Sequence, residues 1–227
     1  VSAQTWREVG DGPLSRAAAT VYTVLVVGFL LVLTTLPGLV PVLLLGRDAS
    51  NLPLVALCLL PVGPAVSAAL YALHHQRPDL TDLRPAARFR QGYRANLAQV
   101  LRIWVPLLLW LTVIAVNLTH LSVAGVPTGW AVPLLVIGVA VTLVGGNALV
   151  IASLFTFRTR DVLRLALYFL VRTPAVTIGT ALLLAAAGAL TVLVSEALPV
   201  LLAGPFVLAY LRITTPMTDL VRKDFTG

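Results

Sequence analysis

The residues best suited to chemistry in this chain are its arginines, and their spacing points to an anionic surface rather than to a reaction. Lys223 is the only lysine. Between Arg84 and Arg102 stand Arg88, Arg90 and Arg94, interleaved with Phe89, Tyr93, Leu97, Val100 and Trp104 at three- and four-residue intervals. In a helix that spacing gathers the apolar residues on one face. Arg84, Arg88 and Arg102 then fall on the opposite side, while Arg90 and Arg94 flank the apolar stripe. A basic amphipathic helix of this kind lies along anionic lipid or docks in a partner's groove. Arg84, Arg88, Arg90, Arg94, Phe89 and Tyr93 are therefore the candidate docking residues. A second segment repeats the theme, with Arg158, Arg160, Arg164 and Arg172 set against Leu163, Leu167 and Leu170.

The other polar groups offer less. A polar side chain at membrane depth is a functional candidate because burying it is costly. Asn147 beside Gly145-Gly146 fits that description, and a helix–helix hydrogen bond is its simplest use. Thr34, Thr35, Ser67 and Thr142 can bond their own helix backbone. Two proline-containing interruptions, Pro61, Gly63 and Pro64, and then Gly204-Pro205, are candidate broken helices that could border a cavity. His74 and His75 adjoin and would project to different faces of a helix, so they do not form a metal pair; His120 is isolated. Glu196 reads as a helix end at the membrane interface. No GxxxxGK[ST] loop, HExxH, cysteine cluster or GxSxG elbow occurs. The expectation is a protein that is not an enzyme, with no cofactor and no metal.

The elements that must position these residues follow from composition. Of 227 residues, 59% are hydrophobic and 11% charged, with a mean hydropathy of +0.96. A soluble domain carries about a quarter of its residues charged, because its surface faces water. The apolar runs here reach about 20 residues, enough to cross about 30 Å of hydrocarbon. Lipid cannot satisfy backbone polar groups, so such runs are helices or a closed barrel. They lack the two-residue alternation of barrel strands. The expected class is all-α, a polytopic transmembrane helical bundle. The formal net charge of +7 then speaks for loops against anionic lipid, not for nucleic acid. The lone cysteine, Cys58, excludes an intrachain disulfide.

Six spans are expected within a single membrane domain, 1–227: about 17–45, 52–73, 102–118, 130–155, 174–194 and 197–211. The first is too long for a signal-peptide core. Basic segments 74–101 and 156–173 separate spans two from three and four from five. If the amino terminus is cytoplasmic, every Lys and Arg except Arg47 lies at the cytoplasmic face. The positive-inside rule requires that asymmetry, so both termini are expected in the cytoplasm. The arginine bias, beside abundant Ala, Leu and Val, fits the inner membrane of a GC-rich bacterium. Thr177, Ala181, Ala185 and Ala189 form a small-residue stripe on the fifth span, which lets another helix approach closely. No paired intramembrane carboxylates and no charged path cross the spans, which argues against proton-coupled transport.

The run Pro61-Val-Gly-Pro-Ala-Val-Ser-Ala-Ala-Leu-Tyr71 resembles the most characteristic stretch of the YesL-like bacterial membrane proteins. Phe89-Arg-Gln-Gly-Tyr-Arg-Ala-Asn96 is similar to that family's aromatic and basic central loop. The segment 27–31 departs from the family's wording. The family has no assigned reaction, and its members are commonly encoded beside carbohydrate ABC uptake systems. The resemblance implies an accessory or scaffold subunit of oligosaccharide uptake, with ABC permease and ATPase subunits as partners; anionic lipid is the partner that the basic segments themselves suggest. An ABC permease itself is not expected, because Glu196-Ala197-Leu198 does not reproduce the Glu-Ala-Ala loop that docks the ATPase. The alternative is an autonomous small-solute transporter or channel using the broken helices.

Overall fold

Long apolar runs make most of the helices of this protein and amphipathic segments the rest; Pro37, Pro41, Pro106 and Pro216 lie inside helices without ending them. The computed structural model describes residues 13–46, 48–76, 83–121, 123–195 and 197–225. Arg7, Asp11, Arg47, Arg77, Ser122 and Glu196 lie outside the described residues. In chain order the helices are α1 (Pro13–Leu44), α2 (Leu52–Cys58), α3 (Val62–His75), α4 (Pro85–His120), α5 (Ala131–Leu154), α6 (Thr159–Arg172), α7 (Pro174–Leu193), α8 (Ala197–Leu201) and α9 (Ala203–Phe225). Among the described residues there is no strand.

Among the described residues five segments are long and apolar enough to cross a membrane: Leu14–Leu44, Ala49–His75, Pro85–His120, Thr128–Leu154 and Pro174–Leu193. The first, fourth and fifth agree closely with the expected spans. The second is two helices, because the chain leaves the α-helix between Cys58 and Val62, where Pro61 and Pro64 lack amide donors. The third is longer than expected. α4 runs unbroken for 36 residues, about 54 Å at 1.5 Å per residue, so it joins the basic segment and the apolar span in one rod. The sixth expected span, 197–211, is divided between α8 and the first turns of α9. α9 carries Arg212 and a charged end with Arg222 and Lys223, which keeps it out of the apolar set.

The two ends of the bundle are distinct. At one end Arg222 of α9 approaches His74 of α3, 3.4 Å, and Gln99 of α4 donates to the Phe157 carbonyl between α5 and α6, 2.7 Å. The arginines of α4 and α6 gather there. At the other end Asp48, Asn51, Thr119, Thr191 and Ala197 surround one cavity.

α3 is the central helix. Ala65, Ala68, Ala69, Leu70 and Ala72 are wholly buried, and α1, α4, α5 and α9 all pack on it. Small residues set the spacing. A Cβ on Gly92 would stand 2.7 Å from the Tyr71 Cβ, and one on Gly204 would stand 2.5 Å from the Val24 carbonyl oxygen. These are positions where two helices touch through a missing side chain.

Candidate interaction site

The basic helix of the sequence reading is present, but its apolar face is spent inside the protein. Phe89 is only 4% exposed and Val100 is wholly buried, while Tyr93, Leu97 and Trp104 are half-buried. Phe89 therefore leaves the set of lipid- or partner-docking residues, and Tyr93 is partly covered by packing against the core. The physical reason is the continuity of α4: its first turns pack on α3 at Gly92 and Tyr71, and one rigid rod cannot also lie flat on the membrane. What remains outward is charge. Arg84, Arg88, Arg90 and Arg94 are exposed. Arg88 reaches Gln91 at 3.5 Å. The guanidinium groups of Arg90 and Arg94 make no hydrogen bond or ion pair with any described residue.

α6 carries a second arginine row and has two apolar faces. Val162, Leu165, Ala166 and Phe169 are buried against the bundle. Leu163 and Leu167 are exposed and Leu170 is half-buried, beside the exposed Arg160 and Arg164. A helix that is apolar toward protein and apolar toward the outside, with arginines between, suits the edge of a bilayer.

Behind the arginines lies a polar seam that spacing did not reveal. The hydroxyl oxygens of Ser67 on α3 and Ser153 on α5 are 2.8 Å apart. The Asn96 amide on α4 donates to the Ser67 hydroxyl at 3.3 Å and to the Ser153 carbonyl at 3.2 Å. Ser153 also donates to the Leu149 carbonyl one turn back. If Ser67 donates to Ser153, every proton in the group has an acceptor. Thr34, Thr35 and Thr142 bond their own helices, but Ser67 does not: it joins three helices. Asn147 donates to the Ala166 carbonyl of α6 at 3.4 Å, so its polarity is used between helices.

The broken-helix residues divide. Gly63 and Pro64 are buried, Gly63 lies under the Trp104 indole, and that indole donates to the Leu59 carbonyl at 2.9 Å. The break at Pro61 is thus packed and hydrogen-bonded. Gly204 and Pro205 instead line an apolar cavity of about 620 Å³ with Val24, Gly28, Ala197 and Leu198; Pro61, Gly63, Pro64 and Asn147 do not line it. His75 Nδ1 faces the Tyr71 carbonyl at 3.0 Å, while His74 faces Arg222, so the adjacent histidines serve different partners.

The chain matches, over residues 24–118, the model of a family described as a protein of unknown function, DUF624, which is the YesL-like family that Pro61–Tyr71 and Phe89–Asn96 resemble. The match runs from α1 to near the end of α4 and includes the packed helix break and the seam residues Ser67 and Asn96. No curated protein and no solved structure matches the chain.

Proposed function

We propose that this YesL-like chain is a non-enzymatic accessory or scaffold subunit of a carbohydrate (oligosaccharide) ABC uptake system in the bacterial inner membrane. The observation that carries the reading is the outward row Arg88, Arg90 and Arg94 on a helix whose apolar face is already buried. Such a row has no packing role left, and its complement is an acidic surface on a partner. The carbohydrate connection comes from the family's usual setting. Permease and ATPase subunits are the proposed partners.

The reading includes six crossings with both termini in the cytoplasm. α7 ends among the residues opposite the arginine-bearing end, and α9 finishes beside His74 at that end. A chain that goes from one end to the other between Leu193 and Arg222 supports a sixth passage, made by α8 and α9. The positive-inside rule then puts the arginines in the cytoplasm. Lateral association is supported by α7, the least covered of the five apolar segments. Its Ala185, Ala186, Gly188 and Ala189 are exposed, which suits close approach by a foreign helix.

Purification of the tagged protein from its native membrane in mild detergent, followed by mass spectrometry, tests the proposal. Stoichiometric recovery of ABC permease and ATPase subunits is expected, and R88E/R90E/R94E should reduce it several-fold. Recovery of the chain alone, or unchanged recovery with the triple variant, argues against the docking face.

A second reading, an autonomous small-solute transporter or channel, is favoured by the cavity at Gly204 and Pro205. Its wall is almost wholly apolar, with Ser195 among the few polar members, which suits an uncharged solute. Absence of solute flux in reconstituted liposomes removes it.

A further inference from the structure

A second group of arginines converges on a cavity distinct from the Arg88–Arg94 row. Gln99 and Arg102 of α4, Phe157 and Arg158 of the connection, and Thr159 and Arg160 at the start of α6 line an open hollow of about 480 Å³. Arg102, Arg158 and Arg160 are exposed, and their guanidinium groups make no hydrogen bond or ion pair with any described residue. Gln99 is committed to the Phe157 carbonyl, which holds the connection against α4. The other polar residues that line the space are Arg102, Arg158, Arg160 and Thr159. α6, fourteen residues long, starts at the cavity wall, so its positive dipole end adds to the same field. Asp161, the acidic residue of that first turn, is not part of the wall.

Position selects the anion. Arg102 sits where the apolar part of α4 begins, and α5 ends at Leu154, so the cavity stands at the boundary of the apolar layer. Below Arg102, at helical spacing on the same face, come Val105, Leu109 and Val113, which are 46%, 64% and 47% exposed. This is a cationic cup above an uncovered apolar track. Guanidinium groups pair with phosphate oxygens by charge and by paired N–H geometry, and the track offers a path for acyl chains.

We propose that Arg102, Arg158 and Arg160 form a binding site for the phosphate headgroup of an anionic phospholipid, with its acyl chains along Val105, Leu109 and Val113. The site goes beyond the scaffold reading and does not depend on it. An occupied headgroup would bridge α4 to α6.

The test is native mass spectrometry of the purified full chain in neutral detergent, titrated with phosphatidylglycerol or with zwitterionic phosphatidylethanolamine. Retention of phosphatidylglycerol should exceed that of phosphatidylethanolamine by about tenfold, and R102Q/R158Q/R160Q should abolish the preference. R16Q/R212Q/K223Q removes the same charge at other exposed positions and should keep it. Equal losses in both triple variants would reduce the effect to net charge and overturn the site, as would undiminished preference in R102Q/R158Q/R160Q. Displacement of phosphatidylglycerol by millimolar inorganic phosphate would assign the cup to a soluble anion and overturn the lipid. If the triple variant does not elute as a folded species, R160Q alone, at an exposed position, should lower the preference several-fold; full retention there overturns the proposal.

Discussion

Trp104 donates its indole N–H to the carbonyl oxygen of Leu59 across 2.9 Å, at the point where the second apolar segment leaves the α-helix. Pro61 and Pro64 remove two backbone donors from that stretch, so carbonyls there need partners from elsewhere. The same oxygen also accepts from the Val62 amide, 3.1 Å. The ring meanwhile covers Gly63, where a Cβ would fall 2.5 Å from Trp104 Cγ. One side chain of the third segment thus caps and packs the break in the second.

Replacing Trp104 by Phe keeps a ring and removes the donor. The expected loss is about 1 kcal/mol, the low end for an acceptor that loses one of two partners. Reversible unfolding in mixed micelles measures it. Trp110→Phe, at a site 61% exposed, should change stability little. Equal effects of the two would show that the Leu59 bond contributes nothing.

Ser67 and Ser153 are 86 residues apart in sequence, and their coupling should be measurable although each is small. A double-mutant cycle with Ser67→Ala and Ser153→Ala is expected to give about 0.6 kcal/mol of interaction energy, the usual size for hydrogen bonds between membrane helices. Strict additivity would mean that the Asn96 amide compensates for either loss. Repeating the cycle on Asn96→Leu distinguishes the cases.

These two contacts also mark the limit of what the sequence discloses. Apolar runs reveal spans, because lipid imposes one requirement on all of them, and the break at Pro61 is visible in proline chemistry. Hydropathy does not say what covers an apolar face. Phe89, Tyr93 and Val100 have the same periodicity whether they meet lipid, a partner or α3, and only the unbroken passage of α4 through residue 102 decides for α3. The seam escaped for another reason: a serine can satisfy itself on its own helix backbone, and nothing local to Ser67, Asn96 or Ser153 signals that three helices bring them together. The sixth expected span is faint because its apolar part is short and Arg212 follows at once.

Gly204 and Gly188 give a matched pair. A methyl group on Gly204 would stand 2.5 Å from the backbone oxygen of Val24 and 3.2 Å from Gly28 Cα, whereas one on Gly188 would meet nothing within 4 Å. Backbone cannot rotate away as a side chain can, so Gly204→Ala must push α9 from α1. A loss of about 1–3 kcal/mol is expected. Gly188→Ala should be neutral or stabilise by a few tenths, up to about 1 kcal/mol, through helix propensity. Thermal unfolding of both variants in one detergent checks the contrast, and a neutral Gly204→Ala would deny that α1 and α9 cross there.

Orientation can be tested independently of any partner. In a Cys58→Ser background, Gln91→Cys lies on the exposed side of α4 among the arginines, and Thr128→Cys lies in the turn before α5 at the opposite end. With the arginines in the cytoplasm, a membrane-impermeant maleimide applied to intact cells should label Thr128→Cys and spare Gln91→Cys. Permeabilised cells should yield both. Lys223→Cys at the end of α9 decides the number of crossings. Protection in intact cells, matching Gln91→Cys, requires an even number of passages and therefore a sixth through α8 and α9. Labelling from outside would leave five crossings and put the carboxy-terminal basic residues on the wrong side of the charge rule. In that event the approach of Arg222 to His74 would also be lost, because the two side chains would be held at opposite faces of the membrane.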